Sequence, residues 1–167
     1  MDETLTRVTI WLALGLYAAN ELLGRSGPEG RVRWLLTLGC GLYLAHVALA
    51  FQVHHDWSHT VAVAHTAAQT QALVGWHWDG GIYINYLFSI IWVGETAWWW
   101  LSPQRYCNRT RWLEPALRAF FLFIIVNGAV VFVDGPQRWL GMAIVGVLLV
   151  AWLPSVLRQA RSETRTG

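Results

Sequence analysis

The sequence predicts an all-α integral membrane protein: a bundle of about five transmembrane helices, N-terminus outside and C-terminus inside, plus one amphipathic, histidine-rich helix at the outer face. Three observations lead there. Of 167 residues, 55% are hydrophobic and 13% are charged, where roughly 25% charge is usual for a soluble domain. Five stretches cross, or nearly cross, a hydrocarbon core of about 30 Å, which takes roughly 20 apolar residues. The arginines between those stretches gather on one side, as basic residues in short cytoplasmic loops do.

The elements follow in order within a single membrane domain, 1–167, that shows no repeat or linker. The first span, 8–24, follows an acidic Met1-Asp-Glu start without a basic n-region or small-residue cleavage site, so it reads as a retained helix. Gly24 to Gly30 is a turn containing Ser26-Gly-Pro-Glu. The second span, 34–53, has no acid or arginine from Trp34 to Phe51 and carries Gly39, Gly41, Ala45 and Ala48 as a packing surface. An outer connection, 54–81, is the only long one. The third span, 82–101, contains a single acid, Glu95, and the fourth, 116–133, starts near Arg118. Asp134-Gly-Pro turns the chain into the fifth, 139–157, whose Gly141, Ala143 and Gly146 again suit close helix packing.

Arg25, Arg31 and Arg33, then Arg105, Arg109, Arg111 and Arg118, then Arg158, Arg161 and Arg165 share one side in this arrangement, leaving only Arg7 and Arg138 on the other. Making 57–75 a sixth crossing would place the Arg105 cluster opposite the Arg25 cluster. Trp34, Trp98, Trp99, Trp100 and Trp112 fall near the inner interface and Trp57, Trp76, Trp78 and Trp139 near the outer one, where indole rings favour the headgroup region. Cys40, within the second span, and Cys107, in an inner loop, are not expected to meet or to be oxidised in that compartment. Scattered arginines without a basic block give no nucleic-acid partner. The expected partners are the lipid bilayer and either further copies of the chain or a larger membrane complex, and the expected location is a bacterial inner membrane.

Histidines mark the outer connection. His54, His55, His59, His65 and His77 lie in or beside it, and His46 lies within the second span. Projected at about 100° per residue, His54, Ser58, His65, Gln69, His55, Thr66, His59 and Thr70 share one arc of roughly 160°. Trp57, Val61, Ala64, Ala67 and Ala68 take the opposite arc. A merely solvated face would carry formal charges; this one carries imidazoles, hydroxyls and amides, with Asp56 at its edge. On a continuous helix His55 and His59 stack four residues apart and can share a metal, with His65, His54 or Asp56 completing its shell. A helix N-cap at Asp56 or Ser58 would instead put His55 outside that geometry. A pH-sensitive imidazole cluster and a plain interfacial helix are the competing readings of the same segment.

The His55/His59 pair resembles one box of the membrane di-iron desaturases and hydroxylases, families with several such boxes, whereas the histidines here occupy essentially one region. His55-Asp-Trp-Ser-His59-Thr is similar to the histidine box of a family of small membrane-bound metal-dependent hydrolases, whose aspartate-rich partner motif is missing here. Either resemblance implies metal-dependent chemistry, and neither extends beyond these few residues. Gly-rich phosphate loops, Cys-x-x-Cys pairs, haem c attachment sequences and serine nucleophile elbows are not present.

His46, Asn85 and Asn127 fall at outer or middle depths of their spans, where with Tyr83 and the histidine helix they would line one outward pocket. The expected metal ligands are His46, His55, His59 and His65, supported by His54, Asp56, Gln69, Asn85 and Asn127. Glu21, beside Asn20, and Glu95, beside Thr96, lie toward the inner ends; they are expected to pair with Arg25, Arg33 or Arg105, or to handle protons. The leading expectation is thus an outward histidine-rich pocket binding a transition metal (zinc, copper or iron) or a haem-like cofactor. An accessory or assembly subunit of a larger membrane complex and a proton-coupled carrier using Glu21 and Glu95 are the alternatives.

Overall fold

The computed structural model describes residues 2–24, 32–110 and 112–163, with the backbone alone for residues 2 and 154–163. Every regular element among them is helical: α1 Asp2–Leu23, α2 Arg33–His54, α3 His59–Val74, α4 Gly81–Leu101, α5 Pro103–Cys107, α6 Leu113–Val126 and α7 Gln137–Glu163. A π turn, Asn127–Val131, prolongs α6. Local signals place several boundaries. Pro103 opens α5, where a missing N–H costs nothing, and Gly75, at φ +81°, closes α3 in the left-handed conformation that glycine adopts without strain. The expected turn at Gly24 to Gly30, and Arg25, Arg31, Arg111 and Arg165, lie outside the described residues apart from Gly24 itself.

Five long helices, α1, α2, α4, α6 and α7, alternate in direction. His46 of α2 meets Thr6 near the start of α1, while Gly39 nests at the Ala13 carbonyl further along. Tyr43 of α2 meets Ser89 of α4, and Thr37 meets Trp100. Gly141 of α7 lies against Ala129, whereas Arg118 at the other end of α6 lies over Trp152. One end of the bundle therefore gathers Thr6, His46, the start of α4, and Arg138; the other gathers Glu21, Trp100, Arg109, Arg118 and Trp152. Between them Tyr17, Tyr43, Phe88, Trp92 and Phe121 interlock through edge and stacked ring contacts 4.7–5.6 Å apart. Trp92 and Trp99 are fully buried, so these two of the twelve tryptophans are core rather than interface residues.

Among the described residues two stretches, Arg33–His54 and Leu113–Val131, are long and apolar enough to cross a membrane. α1 and α4, with 22 and 21 residues, have the length, but Glu3, Arg7 and Glu21 in one, and Asn85, Glu95 and several tyrosines and tryptophans in the other, lower their mean hydropathy. The apolar part of α7, Gln137–Leu153, is shorter. Helix boundaries differ from the expected spans most at the first and last helices, where α1 begins at Asp2 rather than at residue 8 and α7 runs to Glu163 rather than to residue 157.

Candidate functional site

A strained turn builds the histidine end. α2 stops at His54, and His55 gives its N–H to the Phe51 carbonyl. Asp56 and Trp57 then both adopt positive φ, +45° and +56°, a conformation costing a non-glycine residue roughly 1–2 kcal/mol. Local bonds hold them there. The Trp57 N–H reaches Phe51 O at 3.2 Å, its indole donates to Gln52 Oε1 at 2.6 Å, and the Ser58 N–H donates to His55 O at 2.7 Å. Ser58 next caps α3, its Oγ accepting from the Val61 N–H. The chain folds back on itself in these few residues.

The fold-back brings His65 of α3 over the end of α2. The His55 and His65 ring centres lie 5.2 Å apart, with His54 at 6.2 Å from His65 and 6.3 Å from His55. His55 Nδ1 is buried without a hydrogen-bond partner among the described residues. Burial holds this imidazole below its ordinary pKa, and the neighbouring His65 and His54 push the same way. No three His, Cys, Asp or Glu side chains among the described residues converge, as they stand, in a group that could hold a metal ion.

The expected ligand quartet is divided. Because Ser58 caps α3, the helix is not continuous from His55 to His59, and their four-residue spacing no longer stacks them. His59 turns to α4 instead, with Nδ1 2.9 Å from the Tyr86 hydroxyl and Nε2 3.4 Å from that of Tyr83. His46 points to α1, its Nδ1 2.8 Å from the Thr6 carbonyl; a carbonyl only accepts, so Nδ1 carries the proton. His77 pairs with Asp79 at the exposed surface.

Supporting residues are also redistributed. Asn127 donates to Phe123 O within its own helix, and Asn85 contributes its backbone carbonyl, which accepts from Ser89 and Tyr43. Gln69 and Asp56 are exposed. On α3, Ala62 and Ala67 are buried and the Thr66 methyl fits against Gly81 of α4, while Val61, Ala64 and Ala68 are exposed. Thr66 and Thr70 tolerate packing because each hydroxyl returns to the carbonyl four residues earlier.

At the opposite end the two acids lie in buried ion pairs. Glu21 Oε2 accepts from Arg118 Nε at 3.0 Å and the Trp152 indole at 2.7 Å. Glu95 Oε2 accepts from Arg109 Nη1 at 2.6 Å and the Tyr106 hydroxyl at 3.1 Å. Glu114 bonds Arg118 at 2.8 Å and reaches toward Arg109 at 3.9 Å. These are not the expected arginines: Arg33 lies over the Trp100 ring instead, and Arg25 is outside the described residues. Tyr86, Tyr106 and Trp152 were not singled out by sequence. Tyr86 had the one available signal, three residues from Tyr83 and so on the same helix face.

No protein-family model, no curated protein and no solved structure matches the chain.

Proposed function

We propose that this is a multi-pass protein of the bacterial inner membrane, crossing five times with the histidine end outside, and that His54, His55 and His65 take up a zinc or copper ion there. The spacing of the three rings is the observation that carries the metal reading. With Zn–N bonds of about 2.0–2.1 Å and a tetrahedral angle, coordinated imidazole centres would stand roughly 5.2 Å apart, and the observed separations are 5.2–6.3 Å. His54 is exposed at the end of α2, so it can turn inward to close the remaining gap, and a metal would satisfy the orphaned Nδ1 of His55. Three imidazoles leave one position open to water or an external ligand, the pattern of reactive rather than purely structural zinc sites. Five alternating helices support the membrane reading, as do large apolar side chains such as Leu12, Leu38, Ile90, Phe123 and Val150, each more than half exposed.

Metal analysis and titration of the detergent-purified chain test this. One equivalent of zinc or copper per chain is expected. His55→Ala and His65→Ala should weaken binding at least tenfold with helical circular dichroism unchanged, and His46→Ala and His59→Ala should retain it. Absence of stoichiometric binding, or equal binding by all four variants, overturns the assignment.

A further inference from the structure

A cavity of about 210 Å³ lies at the other end of the bundle, lined by Asn20, Tyr106, Cys107 and Arg109 among others. Two of these side chains are deeply buried, and each leaves one polar atom without a hydrogen bond among the described residues. Asn20, fully buried, gives its amide nitrogen to Glu21 Oε1 at 3.4 Å and leaves the acceptor Oδ1 unused. Arg109, its side chain 3% exposed, gives Nη1 to Glu95, while Nη2 stands 3.9 Å from Glu114, beyond hydrogen-bond reach. Cys107, on the same cavity, is an exposed thiol outside any disulfide. One acceptor, one donor and one nucleophile thus share a space of about seven waters at roughly 30 Å³ each.

A secondary amide answers both idle atoms without bringing charge: its N–H suits Asn20 Oδ1 and its carbonyl suits Arg109 Nη2. It therefore leaves the ion pairs of Glu21 with Arg118 and of Glu95 with Arg109 as they are. A thiol beside the two atoms is where a molecule carrying that amide would be fixed covalently. We propose that Cys107 is an S-thiolation site and that the cavity takes a small cellular thiol of the glutathione class, whose cysteine is flanked by amides. In the exchange the Cys107 thiolate attacks one sulfur of the small disulfide. The new S–S bond forms as the old one breaks, and the second half leaves as a thiolate that takes up a proton. The Cys107 sulfur is oxidised and the departing sulfur reduced, so no other oxidant enters. The cysteine and its amides occupy the cavity, and the remaining groups extend out on the side where Cys107 is exposed. Cytosolic poise keeps such bonds transient, so the adduct reports a rise in the disulfide fraction of the thiol pool. Access to that pool rests on the inner placement proposed above; the chemistry does not.

The full chain, purified reduced in detergent, is equilibrated with glutathione disulfide, with the uncharged disulfide of N-acetylcysteine amide, and with diethyl disulfide, which has no polar group. Intact mass and peptide mapping read the adduct, and each exchange constant is divided by that of a short cysteine peptide in the same detergent. One adduct per chain on Cys107 is expected, and none on buried Cys40. Both amide disulfides should be favoured at least tenfold over diethyl disulfide, and their adducts should melt at a higher temperature. Asn20→Leu should remove that preference. Should this variant fail to fold, the comparison of disulfides on the unaltered chain decides by itself. No adduct at Cys107, equal relative constants for all three disulfides, or a preference for glutathione alone, the mark of its charge rather than its amides, overturns the proposal. So does a preference that survives in Asn20→Leu.

Discussion

Gly141 has no room for a side chain: a Cβ there would penetrate the Ala129 carbonyl oxygen, a backbone atom that cannot swing aside. Overpacking of this kind costs about 1–3 kcal/mol, so Gly141→Ala is expected to lower the thermal midpoint by several degrees. Gly146→Ala, which meets only open space, should leave it unchanged, and comparative melting of the two variants checks this. Sequence had marked both glycines alike as packing residues, because spacing reports a face but not which turn of the neighbour it touches. The same blindness explains His46 and Glu95. Their unusual character was legible, whereas the Thr6 carbonyl and the Arg109 guanidinium that receive them depend on helix pairings that no local pattern encodes.

Between α2 and α3, geometry at two residues decides what the neighbouring helices can present. Periodicity suggested one amphipathic run through the histidines, and it had no means of registering consecutive left-handed residues at Asp56 and Trp57. Placing β-branched valine at position 56 would strain that turn; glycine would not. Asp56→Val should therefore be less stable than Asp56→Gly by about 1–2 kcal/mol, and should bind metal more weakly, since α3 would no longer hold His65 over His55. Both variants lack the carboxylate, so paired denaturation and zinc titrations isolate the backbone contribution. Threonines that bond their own helix can also pass as packing residues, which is how Thr66, on the polar arc, comes to lie against Gly81 of α4.

Across the whole molecule, the order and approximate extent of the long helices were legible because each needs a long apolar run, and runs survive any pairing. The alternating arrangement puts α3 at one end, with contacts to the end of α2 and the start of α4; five crossings rather than six is the proposal to test. Labelling tests that directly. In a Cys40→Ala background, the exposed Cys107 should react with an impermeant maleimide only after spheroplasts are opened, whereas Gln69→Cys should react in intact ones. Reaction of Cys107 from outside would instead select the six-crossing arrangement. What the sequence could not assemble was the site itself, since the imidazoles of His54, His55 and His65 approach one another through tertiary contacts alone.

The π turn at the end of α6 has a rotational consequence. At about 100° per residue, positions four apart drift steadily around a regular helix, and Phe121, Ile125 and Ala129 are such positions, yet all three are buried. The wider turn absorbs the drift at its last step and delivers Ala129 to the groove that Gly141 leaves open, while Arg138 closes the neighbouring Val130 carbonyl at 2.8 Å. The angular phase of α7 is thereby locked to that of α6 at the histidine end, just as Arg118 and Trp152 lock it at the other.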